Sequence, residues 1–468
     1  MTRSTFTGLA HRWLRRVGRI AALAVGLVPV AAAAQEPLPV GTLTVHAAVD
    51  AALSTHPALG AAAAHVEGAR AAESLFRSEL LPSLSAMSGI TTFAEPMVVA
   101  PLHGFDPTAP PTFDRTLIQG QVMARHTLYD FGTRSARVAG ARARTDALAF
   151  READAEMGVL EATVSAYTGV LLARNHREAA DRLVAALEAE LERAGLRFTE
   201  GTVPRVEVLR AEATLLDARA RQTTSSSQVE VAEGRLAREM GVDPGSLAGR
   251  PLADVSPPLA AVAGPIEIGA TPPSPTGAAG ANPTIEAARR GLDAARSRTE
   301  EERSGRLPTF EVTAGILSFG SADGDQVAEW QTGAWVSWPL YTGGRRAAVV
   351  RQADAELAAA TEELRLREIE VADALEAARA AAGAAAARTR AFEASIAQWE
   401  EIARIETLAL DEGTGVQSDY LEAEAALFAA RAEYAGARYE EIRSLLAAAR
   451  VEGRLGRSWL DNMLETIP

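Results

Sequence analysis

The sequence predicts an α+β membrane protein assembled from two internal repeats, and three observations carry that prediction. Two long stretches align on one another without gaps. Alanine-rich runs place larger apolar residues at coiled-coil spacing, and between these runs the apolar period falls to two. Of 468 residues 47% are apolar but only 5% aromatic, which suits helices packed closely over a long distance better than a thick globular core.

The N-terminal segment 1–34 carries Arg3, Arg12, Arg15, Arg16 and Arg19, then an apolar run from Ile20 to Val30, then small residues up to Ala34. That is the pattern of a cleaved secretory signal peptide, so the mature chain is expected outside the cytoplasm. Removing those five arginines takes the formal charge from −14 to −19. So acidic a chain argues against nucleic acid as a partner. There are 0 cysteines, which excludes disulfides, thiolate nucleophiles and Cys-ligated zinc. Beyond the signal no apolar run approaches the ~18 residues of a spanning helix. Membrane strands, at ~10 alternating residues each, remain open to it.

The repeat sets the order of elements. Pro57 meets Pro283, Arg70 meets Arg296 and Pro82 meets Pro308, each 226 residues on. Tyr129, Gly132 and Arg134 meet Tyr341, Gly344 and Arg346, and Glu200-Gly201-Thr202 meets Glu412-Gly413-Thr414, each 212 residues on. The difference of 14 lies between Pro82 and Tyr129, in a loop enlarged in one half only, around 93–114. The first repeat is therefore expected over 35–242, with a helix, a β-hairpin 83–128, a long helix 132–198 and a returning helix 205–241. A Pro-, Gly- and Ala-rich connection follows over 243–281. The second repeat, 282–456, has a helix, a hairpin 309–340, a long helix 344–411 and a returning helix 417–455, before a tail 457–468.

No proline interrupts Arg134 to Phe198, and Leu160, Val164, Tyr167 and Leu171 step by coiled-coil intervals. A continuous helix there would run about 100 Å. Tyr420, Ala423, Leu427, Ala430, Tyr434 and Ala437 keep the same rhythm, as do Val208, Ala211, Leu215 and Ala218. In the strands, Ile118, Gly120, Val122 and Ala124 oppose Gln119, Gln121 and Arg125. Phe310, Val312, Ala314 and Ile316 oppose Glu311 and Thr313, and Trp330, Thr332, Ala334, Val336 and Trp338 oppose Gln331 and Ser337. One face suits lipid and the other water, with the tryptophans as interfacial anchors. Four such strands cannot close a barrel, so the chain is expected to oligomerise.

The duplicated halves, "LYDFGTR" and "LYTGGRR" at the strand-to-helix junctions, and "GTGVQSDYLEAEAALFAARAEY" at the second helical tip resemble the TolC-like outer-membrane efflux proteins across about Leu43 to Gly456. The resemblance implies a homotrimer whose four strands per chain close a twelve-stranded β-barrel, continued by a long α-helical coiled-coil barrel in the periplasm. It implies an outer-membrane channel of a tripartite efflux or type I secretion system, partnered by outer-membrane lipid, a periplasmic adaptor and an inner-membrane pump of the proton-driven or ATP-driven type. At the junctions, Tyr129 and Tyr341 would sit at the interface, Gly132 and Gly344 would permit the change of direction, and Arg134 and Arg346 would begin the helices.

By position the resemblance also assigns Asp419 and Glu422 to a periplasmic gate, where a three-fold axis would gather six carboxylates. It assigns Glu200, Gly201, Thr202, Glu412, Gly413 and Thr414 to the tips and adaptor docking. On the residues alone, Asp419 and Glu422 read more plainly as a solvated acidic face. The chain departs from the family at Gly415, where some members carry a tip-closing arginine; Glu207 takes the acidic partner's place, with Arg205 and Arg210 nearby.

Other classes of function find little in the sequence. There is no nucleophile elbow, zinc-protease motif, Walker loop or dinucleotide glycine pattern, so no enzyme and no cofactor is expected. His46, His56 and His65 are spaced by ten and nine, which makes no ligand face. Asp323-Gly324 reads as a hairpin turn. The alternative is an exported periplasmic coiled-coil scaffold or adaptor without a barrel, a reading that leaves the amphipathic strand pairs unexplained.

Overall fold

The computed structural model describes residues 41–96, 108, 115–256, 282–321, 326–412 and 414–467, all within one compact unit, Pro39–Pro468. The expected signal peptide, most of the enlarged loop, most of the connection, the Asp323-Gly324 turn and Gly413 lie outside the described residues.

Two helices, α1 (Val45–Thr55) and α2 (Pro57–Ser78), precede the first strands. His56 is the hinge between them: its Nδ1 accepts from the Ala58 amide at 3.2 Å, and Pro57 opens α2 at the position where a missing N–H costs nothing. Strands β1 (Ser83–Thr92) and β2 (Thr116–Tyr129) lead to α3 (Thr133–Thr199), which is 67 residues long, and α4 (Arg205–Glu239), which is 35. The connection contains a short 3-10 turn, Pro244–Ser246, and β3 (Asp254–Ser256). Then come α5 (Pro283–Ser304), capped by Asn282, β4 (Thr309–Ser321), β5 (Gln326–Ser337), α6 (Arg345–Asp411) and α7 (Gln417–Val451). Helix α6 is again 67 residues and α7 again 35. The tail folds as α8 (Arg457–Met463) and β6 (Glu465–Ile467).

The fold is mostly helical with one four-stranded antiparallel sheet in the order β1-β2-β4-β5; β3 and β6 form a separate pair. Register places Ala86, Val122, Ile316 and Trp330 in one row across the sheet, and Ile90 beside Ile118. The opposite face carries the Arg125–Glu311 ion pair at 2.9 Å. Toward the hairpin ends this second face turns apolar, with Leu117 and Phe319 buried against Leu317 and Val327. A bulge shifts the β2–β4 register between Thr127 and Tyr129, where β2 prepares to leave the sheet. Strands β1 and β5 are the two edges, and β1 is exposed at every residue.

Helix α3 is the spine of the helical part. It packs on α1, α2, α4, α5 and α7, whereas α6 packs on α5 and α7. Alanine and glycine let the axes approach: a Cβ added at Gly140 would stand 3.3 Å from the Cβ of Ser297. Among the described residues no helix is long and apolar enough to cross a membrane.

Candidate functional site

Strand β2 becomes helix α3 across three residues, Asp130 to Gly132, and the change is held by a residue that sequence reasoning passed over. Phe131 (φ 56°) and Gly132 (φ 91°) are both left-handed, which redirects the chain from strand to helix; for phenylalanine that conformation costs about 1–3 kcal/mol. Asp130, buried at 9% exposure, compensates. Its Oδ1 accepts from the Gly132 amide at 3.2 Å, and its Oδ2 accepts from the Arg134 amide at 3.1 Å and from Arg134 Nε at 2.7 Å. Asp130 thus caps a helix whose first residue is preceded by glycine. Burial pushes its pKa up, but the hydrogen bonds and charge of Arg134 and the Gly132 amide outweigh burial and the carboxyl sits below its ordinary value.

Arg134 does more than open the helix. Its Nη1 donates to the Glu79 carbonyl at the end of α2 and its Nη2 to the Thr127 carbonyl at the bulge, both at 2.7 Å. One guanidinium therefore ties α2, β2 and α3 together. One turn on, Arg137 spans Glu79 at 2.6 Å and Glu301 of α5 at 2.8 Å. Tyr129 is 55% exposed and meets Phe131 edge to face at 4.7 Å.

The second junction is built differently. Thr342 stands where Asp130 does, Gly343 (φ 61°) and Gly344 (φ 83°) make the change of direction, and the Arg345 amide bonds the Thr342 carbonyl at 3.2 Å. Tyr341 is 90% exposed. Arg346 is half-buried, and its Nη1 is buried with no hydrogen-bond partner among the described residues.

At the helical tips the two turns share one device. After α3, the Thr202 amide and its Oγ1 both donate to the Arg197 carbonyl, at 2.9 and 2.8 Å, with Gly201 left-handed at φ 75°. After α6, the Thr414 amide and its Oγ1 both donate to the Ala409 carbonyl, at 3.0 and 3.2 Å. At both tips the threonine hydroxyl adds a second bond to the carbonyl that its own amide already uses. Glu200 and Glu412 are exposed beside these turns. Asp419 lies in the first turn of α7, with Glu422 one turn on, and both are exposed. Gly415 gives its amide to the Ala409 carbonyl at 2.8 Å. Arg210 pairs with Glu207 of its own helix at 3.3 Å.

Midway along α3 a buried polar node ties the connection to both helical hairpins. The Tyr167 hydroxyl lies 2.7 Å from the Leu43 carbonyl and 2.6 Å from the Ala253 carbonyl, and Leu43 pairs with the connection through Pro251 and Ala253. On α7, Tyr439 donates to Asp254 at 2.8 Å and Arg438 pairs with the same carboxylate. Arg174 of α3 holds Glu233 of α4 at 2.5 Å and the Arg250 carbonyl at 2.7 Å. Burial, reinforced by the Asp254 charge, pushes the Tyr439 phenol up to about 12 and raises Tyr167 as well. Nearer the tips a groove of about 600 Å³ separates α3 and α4 from α7. Across it Arg182 of α3 stacks on Phe428 of α7, 4.6 Å from the ring centre.

The sequence that folds into this four-stranded sheet and these 67-residue helices matches the outer membrane efflux protein family over residues 48–242 and 275–453. The chain belongs to the outer membrane efflux protein family. That membership places it in the outer membrane with its helical part in the periplasm, and leaves the adaptor reading unsupported. The outer membrane efflux protein BepC of Brucella suis is 26% identical over 331 residues, 67% of this chain and 68% of BepC. The outer membrane protein TolC of Vibrio cholerae is 26% identical over 182 residues, 37% of this chain and 41% of TolC, so that match spans less than half of the relative. The fold is that of the outer membrane protein VceC of Vibrio cholerae, with a TM-score of 0.70 at 18% identity, covering 87% of this chain and 96% of VceC. This family is one of channels, not of enzymes.

Proposed function

We propose that three copies of this chain form an outer-membrane exit duct through which solutes or polypeptide, handed over by an inner-membrane pump and a periplasmic adaptor, leave the cell without any bond being made or broken. The observation that carries the proposal is the sheet: four strands, one apolar row across them, and both edges open. An open edge in lipid leaves backbone groups unsatisfied at several kcal/mol each, so the wall must close. Three copies close it with twelve strands, the apolar row toward lipid and the Arg125–Glu311 face toward a water-filled bore. The two halves of the chain are then structural repeats, each supplying one hairpin and one helical pair.

The tips, 199–205 and 411–417, are the docking and gating elements in this reading, with Glu200, Gly201, Thr202, Glu412, Gly413 and Thr414 meeting the adaptor. Asp419 and Glu422, three residues apart on one helical face, ring the periplasmic mouth and select for cations. Arg210 is occupied by Glu207, which leaves the Arg182–Phe428 contact as a brace between α7 and the first helical hairpin. Reconstitution tests the proposal: the purified mature chain should be trimeric by mass in lipid nanodiscs and conduct ions in planar bilayers. A monomer, or a trimer that conducts nothing under any voltage or pH, would defeat it.

A further inference from the structure

Beside the second junction stand cations that nothing among the described residues neutralises. Helix α5 runs toward the sheet and α6 away from it, and the two are joined by the Arg303–Asp354 ion pair at 2.9 Å. One turn nearer the sheet on each side come Arg306 and Arg351. The turn after α5 keeps helical spacing, since the Arg306 amide bonds the Arg303 carbonyl at 3.3 Å and the Leu307 amide bonds the Ser304 carbonyl at 2.9 Å. The rung after an ion pair therefore sets one cation toward another, and like charges so placed repel unless an anion joins them.

Arg306, Arg351 and Arg345, the first residue of α6, are exposed, and their guanidinium groups make no ion pair or hydrogen bond among the described residues. The flanking carboxylates are engaged elsewhere: Glu301 by Arg137, Glu302 by Arg298, Glu311 by Arg125 and Asp354 by Arg303. The fold does not call for charge at these places, because the first half has Leu80, Ala139 and Thr133 there. The three arginines also run against the composition of a chain whose formal charge is −14.

Aromatic residues fix their level. Trp338 follows the lipid-facing parity of β5, is 58% exposed, and its Nε1 donates to the Arg306 carbonyl at 3.2 Å. Tyr341 is 90% exposed beside it. Tryptophan and tyrosine at the end of a membrane strand mark the headgroup layer. Arg351 stands six residues into α6, roughly 9 Å along it, which a headgroup layer about 5–8 Å deep and a long side chain together span.

Resting on the closed-wall reading above, we infer that Arg306 and Arg351, with Arg345 beside them, bind the phosphate of an anionic phospholipid in the leaflet that faces the periplasm. A phosphodiester accepts paired bonds from guanidinium forks, and one placed between two arginines turns their repulsion into attraction. Its acyl chains would begin at the Trp338 ring.

Native mass spectrometry of the full-length protein released in detergent counts bound lipids and subunits together. The parent, Arg306→Gln/Arg351→Gln and a control, Arg235→Gln/Arg238→Gln on exposed arginines of α4, are titrated with dioleoyl phosphatidylglycerol or dioleoyl phosphatidylcholine. The parent trimer should prefer phosphatidylglycerol. Each basic residue beside an anionic surface is worth about fivefold, so the test variant should lose roughly 25-fold in phosphatidylglycerol affinity while the control binds like the parent and both stay trimeric. Equal binding of the two lipids by the parent trimer, or an equal loss in the control, overturns the site. Displacement of the lipid by inorganic phosphate at constant ionic strength makes it a free-phosphate site and overturns the lipid. A test variant that falls to monomers gives these cations to a protomer contact instead. Monomers from the parent itself defeat the closed wall, and with it the level at which the lipid would bind.

Discussion

Tyr167→Phe removes one oxygen from the interior and nothing else, which makes its consequence calculable. The hydroxyl lies 2.7 Å from the Leu43 carbonyl and 2.6 Å from the Ala253 carbonyl, in a site with 0% exposure. Leu43 keeps a donor, since the Ala253 amide bonds the same carbonyl at 2.9 Å. The Ala253 carbonyl loses its phenolic donor in a place water does not reach. Stranding a buried acceptor costs about 1–3 kcal/mol, whereas the phenylalanine ring fills the same volume and adds no cavity term. The loss falls on the attachment of the connection to α3, not on the sheet. Hydrogen exchange by mass spectrometry on the detergent-solubilised protein reads it directly: protection of the Leu43 and Ala253 amides should fall by roughly 5- to 150-fold, since 1.4 kcal/mol is a factor of ten. Amides in β2 and β4 should not change. Unaltered protection at Leu43 and Ala253, with the variant folded, would show that the hydroxyl does not hold the connection.

Arg134→Lys should destabilise the first junction by about 2 kcal/mol, because an ammonium on a flexible stem cannot reach Asp130 and the Glu79 and Thr127 carbonyls together; differential scanning calorimetry against Arg346→Lys, expected to be near neutral in the isolated chain, checks it. Asp130 has a pKa below its ordinary value when folded, so its contribution is complete above the unfolded pKa near 3.9 and disappears as pH falls through the folded value. Asp130→Asn should therefore flatten the acid limb of the melting-temperature profile. Tyr439 behaves in the opposite sense: raised to about 12, it contributes fully below the ordinary phenol value near 10 and loses that contribution as pH rises to about 12, so Tyr439→Phe should remove part of the alkaline limb. Replacing Asp419 and Glu422 by Asn and Gln should weaken the block of single-channel current by multivalent cations; an unchanged blocking concentration would take both residues out of the gate.

What the sequence made legible was whatever depends on a local period. Ile118, Val122 and Ala124 alternate with Gln119, Gln121 and Arg125, and that alternation is enough to recognise a strand with one greasy face. Leu160, Val164, Tyr167 and Leu171 keep helical rhythm, and the family could be named from the junction and tip motifs. What escaped depends on partners far along the chain. Tyr167 reads in sequence as one more apolar seam residue; its polar function exists only because Leu43 and Ala253, 124 and 86 residues away, arrive at its hydroxyl. Asp130 stood in plain sight inside "LYDFGTR", yet an aspartate near a glycine is an ordinary turn residue, and its capping role emerges only with the left-handed Phe131 between them. The capping signal was available: an acid at a strand end, followed within four residues by an arginine.

The two junctions show where the halves of this chain have different work. At the first, an acid, a left-handed phenylalanine and an arginine make a joint within the chain: Nε, Nη1 and Nη2 of Arg134 each meet an oxygen, of Asp130, of Glu79 at the end of α2 and of Thr127 in β2. At the second, two glycines replace the strained phenylalanine, threonine replaces the acid, and Arg346 keeps a buried donor without a partner among the described residues. A buried guanidinium donor left alone costs more than a neutral one. In the proposed trimer the second junction would border another copy, since among the described residues the main neighbours of α6 are α5 and α7, whereas α3 packs on five helices. If the proposed trimer supplies that acceptor, Arg346→Ala should lower the melting temperature of the assembled protein while leaving that of the dissociated chain unchanged. Equal losses in both would mean that the guanidinium finds its oxygen at home.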